Sequence, residues 1–135
     1  MTRRMSVSMT LDAVRNRTKT VTRRHVDTWR DLAAGDRLTL IEKGMGLPKG
    51  ARQVVVAEVE VVDVRIEPLG LVDEAEVAAE GFAGDVPGLW RCWWATGHGY
   101  SLPAGMDDPA EVLEWVDAIE CRRIEWRYLT SEANR

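Results

Sequence analysis

Hydrophobic and polar residues alternate along several short stretches of this chain, which is the pattern of half-buried strands. The stretch "RRMSVSM" places Met5, Val7 and Met9 on one face, and "DRLTLIE" alternates in the same way. The short segment "KTVTRR" is rich in β-branched residues, which favours a strand. The strongest alternation is "RQVVVAEVEVVDVRI". Because it exceeds the usual strand of about 5–6 residues, we expect a bend or bulge within it.

Helical signals separate these strands. The stretch "TLDAVRNR" predicts a short helix directly after the first strand. In "DEAEVAAEGF", Asp73 and Glu76 have the spacing of a capping box, and Gly81 is placed to end the helix. In "DDPAEVLEWVDAI", Asp108 is the predicted N-cap and Pro109 the first helical residue. The tryptophan-containing segment between these two helices resembles a loop, and the chain closes with a strand over "CRRIEWRYL".

The predicted order of elements is β-α-β-β-β-α-α-β. This order lacks the regular alternation of a doubly wound sheet, so we expect an α+β fold. The expected architecture is a small, curved, mostly antiparallel sheet or open β-barrel with helices at its ends. A chain of 135 residues is the usual size of one domain, and we assign residues 1–135 to a single domain.

The net charge of −4 conceals a basic N-terminal segment. Residues 1–30 carry eight basic and two acidic side chains, a local charge of +6. An acidic protein with one basic segment favours a local site for one phosphate, a few nucleotides or a small anionic ligand over general duplex-DNA binding. Cys92 and Cys121 form no CxxC pair, and the first residues show no apolar secretion signal or membrane span. We therefore expect reduced thiols, a cytoplasmic location and no membrane partner.

Three motifs in sequence order resemble one known family. They are "RTKTVTRR" after a short helix, "LAAGDRL" following Trp29, and a helix ending in "AAEGF" after the long valine strand. The chain resembles an ASCH domain, a member of the PUA-like group of small β-barrels, over roughly residues 3–129. The resemblance implies a cleft that is lined by the "KTVTRR" and "EGF" segments and binds RNA. The implied partner is single-stranded RNA or a nucleoside or nucleotide ligand.

The resemblance also implies two enzymatic alternatives. One branch of the family hydrolyses the amide of N4-acetylcytidine with a lysine, a threonine three residues on and a helix glutamate, which correspond to Lys19, Thr22 and Glu80. Another branch is described as a metal-dependent ribonuclease. A nuclease would need carboxylates that converge on a divalent metal, and the available ones are Asp36, Glu42 and Glu80.

Physical chemistry sets two conditions for the amidohydrolase alternative. Threonine needs a base to take its proton, and a lysine is that base only if burial or neighbouring cations lower its pKa. In a regular strand Lys19 and Thr22 would also point to opposite faces. A catalytic pair therefore requires a bend, a bulge or a helix-to-strand transition between them. Otherwise a charged Lys19 pairs with Glu80 and ties a helix end to the sheet.

The remaining candidates would bind a ligand rather than react with it. Cations and a threonine of the basic segment are placed to contact phosphate, and aromatic side chains to stack on a base. These candidates are Arg17, Thr20, Arg23, Arg24, Phe82, Trp90 and Trp94. For Phe82 we favour core packing over stacking on a base. His25 and His98 lack metal-ligand spacing, so we expect both at the surface and expect no metal or cofactor.

We conclude from the sequence that the protein is an ASCH-like module that binds RNA or a modified nucleobase or nucleotide in a basic cleft. The amidohydrolase and, less strongly supported, the ribonuclease remain alternatives. The sequence does not indicate the oligomeric state.

Overall fold

The computed structural model of the protein describes residues 2–44 and 46–130. The strands are β1 (Thr2–Ser6), β2 (Val21–His25), β3 (Arg37–Ile41), β4 (Val55–Pro68) and β5 (Glu120–Tyr128). The helices are α1 (Leu11–Arg15), α2 (Glu74–Ala79), α3 (Pro87–Gly97) and α4 (Pro109–Asp117), and a 3-10 turn spans Leu69–Leu71. The architecture is the expected α+β class. Among the described residues, no helix is both long and apolar enough to cross a membrane.

The five strands form one curled sheet in the order β1-β3-β4-β5-β2. The β3–β4, β4–β5 and β5–β2 pairs are antiparallel, which is the expected pattern. β1 differs because it runs parallel to β3, with Met5 opposite Leu40. This parallel pairing arises because α1 and β2 intervene between the two strands, and β2 pairs at the far edge with β5 instead of beside β1.

The long strand β4 contains the irregularity that its length predicts. Its register against β5 shifts between Val61 and Asp63. Up to this point alternate residues face the core, with Val59 and Val61 fully buried. Beyond it, the carboxylate of Glu67 is buried instead. The shift therefore allows one strand to serve the apolar core along one half and a buried polar cluster along the other.

Two apolar clusters hold the fold together. The first lies on the concave side of the sheet, and its fully buried members include Met5, Val14, Leu38, Val59 and Trp126. The second joins α2, α3 and α4 to the first residues of β5. Its buried members are Leu69, Val72, Val77, Trp90, Trp94, Ala95, Val116, Ile119 and Cys121. The second cluster fixes α3 beside β2, and this position defines one wall of the candidate site.

The tryptophan-containing segment is a helix, so its interpretation as a loop was wrong. α3 begins at Pro87, which occupies the first helical turn without losing an intrahelical hydrogen bond. Gly88 and three tryptophans lower the intrinsic helix propensity and hide the signal. Burial of Trp90 and Trp94 compensates, and Arg91 ties α3 to α4 through Asp117 at 2.7 Å.

Candidate functional site

A cavity of about 270 Å³ lies where the start of β2, the end of α2 and the inner face of α3 meet. Its walls comprise a polar side from the two motif segments, an aromatic side from Phe82 and α3, and a further side from residues 6–10 between β1 and α1. The lining residues are Ser6, Val7, Ser8, Met9, Thr10, Lys19, Thr22, Arg23, Arg24, Glu80, Phe82, Trp90, Trp93, Trp94 and His98. The structure therefore brings the "KTVTRR" and "EGF" segments together.

The backbone around Lys19 is fixed by an irregular connection between α1 and β2. Arg17 adopts a positive φ of 66°, and the amides of Thr18 and Lys19 both donate to the carbonyl of Ala13. The carbonyl of Lys19 accepts from the Trp126 indole at 3.1 Å and from the Tyr128 hydroxyl at 2.5 Å. Trp126 and Tyr128 thus position Lys19 from the neighbouring strand β5, a role that the sequence motif does not reveal.

The Lys19 side chain is 3% exposed, and its ammonium group is directed at Glu80. Nζ donates to the Glu80 backbone carbonyl at 2.5 Å and lies 3.6 Å from Oε1 of the same residue. Burial lowers the pKa of Lys19, the Glu80 carboxylate acts against this, and the nearby Arg24 and Arg23 lower the pKa further. The direction of this shift is the one that a lysine base requires.

Thr22 shares the cavity with Lys19 because the strand begins between them. β2 starts at Val21, so Lys19 lies in the preceding connection and is not bound by the alternation of the strand. Thr22 is 5% exposed and pairs with Ile124 of β5. Both residues line the cavity, together with Glu80. The helix-to-strand transition therefore allows both side chains to line one cavity, whereas a regular strand would direct them to opposite faces.

Arg23 was expected to contact phosphate, but its guanidinium is committed to three carboxylates. Its nitrogens lie 2.6 Å from Glu76, 2.8 Å from Glu67 and 3.1 Å from Glu80. The side chain has no solvent exposure. A phosphate would have to displace buried ion pairs to reach it, so Arg23 acts here by orienting Glu80 rather than by binding an anion.

Three further candidates come from the basic segment. Arg24 lines the cavity, whereas Arg17 and Thr20 do not. Arg24 donates to the Ser6 carbonyl at 2.9 Å, and burial lowers its pKa. Arg17 is exposed and lies over the ring of Tyr128 at 5.2 Å, away from the lining. Thr20 is also absent from the lining, because its backbone joins Ala79 and Trp126. Arg24 is therefore the cation of this group that a cavity ligand can approach.

Four indole and phenyl rings form the aromatic side. Phe82 contacts both Trp90 and Trp93, with centroid separations of 5.9 and 5.2 Å. Trp90 and Trp94 are each 3% exposed, whereas Trp93 is 45% exposed at the rim. Phe82 packs against the second apolar cluster, which confirms the core interpretation, and it also lines the cavity, where stacking on a ligand stays a prediction. The helical periodicity of α3 places Trp93 beside Trp90, with ring centroids 6.0 Å apart.

His98 is a cavity residue that the sequence interpretation placed at the surface. It caps the C-terminus of α3, and its ring stacks on Trp94 at a centroid distance of 3.9 Å. Its Nδ1 lies 2.8 Å from the Trp94 carbonyl oxygen. His25 lies elsewhere, stacked on Tyr100 at 5.4 Å and outside the lining.

The carboxylates considered for a nuclease do not converge. Asp36 accepts from the amide of Ala33, Glu42 pairs with Arg15, and Glu80 binds Lys19 and Arg23. Within residues 2–44 and 46–130, no group of three or more His, Cys, Asp or Glu side chains is arranged to hold a metal ion. The described part of the chain therefore offers no support for the ribonuclease alternative.

No family model and no curated protein matches this sequence. Solved structures do share its fold. The hypothetical protein PH0355 superposes with a TM-score of 0.58 at 13% identity, over 96% of this chain and 100% of that chain. Protein EF3133 from Enterococcus faecalis V583, of the DUF984 family, gives 0.56 at 14% identity, over 88% and 69% of the two chains.

An ASCH domain from Lactobacillus crispatus JV V101 gives a TM-score of 0.56 at 10% identity, over 94% of this chain and 79% of that chain. At sequence identities this low, the superpositions establish a shared fold and carry no information about activity. The protein has an ASCH-like fold of the PUA-like α+β type, as the three sequence motifs predicted.

Proposed function

We propose that the protein binds the base of a single nucleoside or nucleotide, free or as a flipped residue of RNA, in the cavity between β2, α2 and α3. The observation that carries the proposal is the division of the cavity into an aromatic wall and a buried polar wall. A flat heterocycle needs this combination, since its faces stack on rings while its edge forms hydrogen bonds.

The size of the cavity favours one base over a length of polynucleotide. Small-molecule pockets range over about 300–1,000 Å³, and a volume of about 270 Å³ lies near the lower limit. Arg24 supplies the positive charge that a phosphate or sugar oxygen would contact. Because Arg23 is neutralised by Glu67, Glu76 and Glu80, the site carries less free charge than the basic sequence segment implies.

Calorimetric titration with cytidine, N4-acetylcytidine, uridine and cytidine monophosphate tests the binding proposal. We expect binding of at least one pyrimidine nucleoside and its loss in Trp94→Ala, which removes a stacking surface. Trp29→Ala is the matched control, because Trp29 packs against the other apolar cluster. Lack of binding for all four compounds, or equal binding by the Trp94 and Trp29 variants, would contradict the proposal.

A second candidate function is hydrolysis of an acylated exocyclic amine, and the burial of Lys19 beside Thr22 favours it. In this reaction neutral Lys19 takes the hydroxyl proton as Thr22 Oγ1 forms a bond to the acyl carbon. The carbon–nitrogen bond then breaks, and the proton passes to the leaving amine. Water hydrolyses the threonine ester, so that the products are a carboxylic acid and the free amine. Glu80 holds Lys19 through its backbone carbonyl, and we propose that its carboxylate contacts the leaving amine.

Chromatography of N4-acetylcytidine incubated with the protein tests this second function. The wild type should release cytidine and acetate, Thr22→Val should release neither, and Thr22→Ser should retain part of the turnover. Thr39→Val provides a control for loss of a buried threonine hydroxyl away from the cavity, since Thr39 binds Glu58 on the sheet. Binding without turnover in the wild type would leave the binding function and exclude hydrolysis of this substrate.

A further inference from the structure

One histidine faces the candidate cavity from the aromatic side. Nδ1 of His98 lies 2.8 Å from the carbonyl oxygen of Trp94. A carbonyl oxygen only accepts, so Nδ1 must carry the proton in this contact. A neutral imidazole protonated at Nδ1 has its lone pair on Nε2. The hydrogen bond therefore fixes the tautomer, and stacking on Trp94 at 3.9 Å fixes the plane of the ring.

The surroundings of His98 favour the neutral ring. Burial lowers its pKa, and the positive charge of Arg24 on β2 acts in the same direction. The Trp94 carbonyl and the Glu80 carboxylate oppose this effect. Nε2, on the far side of the ring from the Trp94 contact, has no hydrogen-bond partner among the described residues. Because His98 lines the cavity, a bound ligand can donate a hydrogen bond to Nε2.

We propose that His98 is a specificity-determining residue whose Nε2 accepts a hydrogen bond from an N–H edge of the bound base. This inference rests on the proposed nucleoside-binding function and adds to it a class of ligand. Lys19 and Arg24 are donors that suit the oxygen atoms of the ligand, whereas His98 at the end of α3 provides an acceptor. The preferred ligand is therefore a base with an amine or amide N–H, such as cytosine or an N4-monoacylated cytosine.

The tautomer is measured without any ligand. Two-bond proton–nitrogen correlation spectra distinguish Nδ1–H from Nε2–H, and the chain has only two histidines. His25 is an internal reference, because its Nδ1 accepts from the Asp27 amide at 3.1 Å and its proton therefore resides on Nε2. At pH 8.5 we expect opposite tautomers, with the His98 assignment made from the spectrum of His98→Gln. An Nε2–H tautomer at His98 would overturn the inference.

The ligand edge is tested with cytidine and N4,N4-dimethylcytidine, which lacks the N–H. Wild type should prefer cytidine by about fivefold or more, the size of one hydrogen bond. His98→Phe keeps a stacking ring without an acceptor and should reduce this ratio. His98→Gln retains an acceptor and should preserve it. Below the His98 pKa the acceptor is lost, so cytidine affinity should fall with pH in the wild type but not in His98→Gln.

An unchanged ratio in His98→Phe would overturn the inference even if cytidine binds. Failure of both nucleosides to bind would instead overturn the proposed function, and the tautomer spectrum would still decide the state of His98. The two failures are therefore distinguishable. His25→Phe serves as the control variant, because His25 does not line the cavity, and it should leave both the ratio and the pH dependence unchanged.

Discussion

The Lys19 ammonium lies 2.5 Å from the backbone carbonyl of Glu80 and 3.6 Å from its carboxylate. The other carboxylate oxygen of Glu80 lies 3.1 Å from Arg23. Lys19 thus shares its counter-ion with a second cation that is bound more tightly. Removal of Lys19 leaves Glu80 paired, whereas removal of Arg23 deprives three carboxylates of their common partner.

Replacement of Lys19 by methionine should leave the fold largely intact. The side chain keeps a similar volume, Glu80 keeps Arg23, and the desolvation cost of a buried ammonium disappears. We expect the free energy of unfolding to change by less than about 1.5 kcal/mol. Turnover of N4-acetylcytidine, where the wild type shows it, should be lost. Urea denaturation and chromatography measure the two effects, and exposed Lys49→Met is the control. A large loss of stability would assign Lys19 a mainly structural role.

Replacement of Arg23 by methionine should be far more damaging. It removes the buried guanidinium that Glu67, Glu76 and Glu80 share and leaves each carboxylate with one remaining cation, at a cost of about 3–5 kcal/mol. Arg65→Met is a matched control, because exposed Arg65 also pairs with Glu67 but from the surface, and its loss should cost about 1 kcal/mol or less. Chemical denaturation of both variants provides the comparison. Equal destabilisation would contradict the view that the buried partner dominates this cluster.

The sequence predicts the parts of this fold that depend on local pattern. The alternation around Val59 and Val61 predicts β4 and its bulge, and Asp73 and Asp108 predict the starts of two helices through their capping hydrogen bonds. The "KTVTRR" and "EGF" motifs locate both polar segments of the cavity. These features are local, so a few neighbouring residues are enough to encode them.

Features that arise from packing between distant segments could not be predicted in this way. α3 is stabilised by burial of Trp90 and Trp94 and not by its own propensity. Arg23 forms a buried ion pair with Glu67, which is 44 residues away in sequence, and this pair occupies the guanidinium that was expected to bind a ligand. His98 enters the cavity only because α3 is a helix that ends there. The same wrong interpretation of one segment therefore concealed both the helix and its histidine.

Acid should destabilise the protein through the Arg23 cluster. The Arg123 guanidinium lowers the pKa of Glu76 to about 2. Burial acts against this shift, and Arg23 adds to it. A carboxylate with a depressed pKa stabilises the fold above its ordinary value of 4.5 and loses that contribution as the pH falls towards 2. We expect a loss on the order of 2 kcal/mol from this group, since Glu76 retains some solvent contact.

Denaturation at pH 7, 4.5, 3.5 and 2.5 measures this dependence. Glu76→Gln cannot ionise, so its stability should be lower at pH 7 and vary less than that of the wild type below pH 4.5. Glu74→Gln is the control on the same helix, because Glu74 is exposed. Parallel pH profiles for the wild type and Glu76→Gln would show that other carboxylates govern acid sensitivity.

Gly81 should be the glycine at which a methyl group is least tolerated near the site. It has a φ of +101°, and an added Cβ would lie 3.0 Å from Cγ2 of Thr10 and 3.1 Å from Cβ of Ala13. Gly84 has a similar φ of +94° with no atom within 4 Å of the added Cβ. Alanine at both positions incurs the cost of a left-handed backbone, about 1–2 kcal/mol. Only Gly81→Ala adds a steric clash, worth about a further 1–3 kcal/mol.

The difference in stability between Gly81→Ala and Gly84→Ala therefore isolates the energetic contribution of the contact between the end of α2 and α1. Because Glu80 and Phe82 flank Gly81 and both line the cavity, relief of the clash by a shift of residue 81 would displace one or both of them. We expect Gly81→Ala to lower cytidine affinity as well as stability, and Gly84→Ala to lower stability alone. Denaturation and calorimetric titration of the pair provide the measurement. Equal stability of the two variants would mean that Thr10 and Ala13 move aside at little cost, and the position of Glu80 would then not depend on this contact.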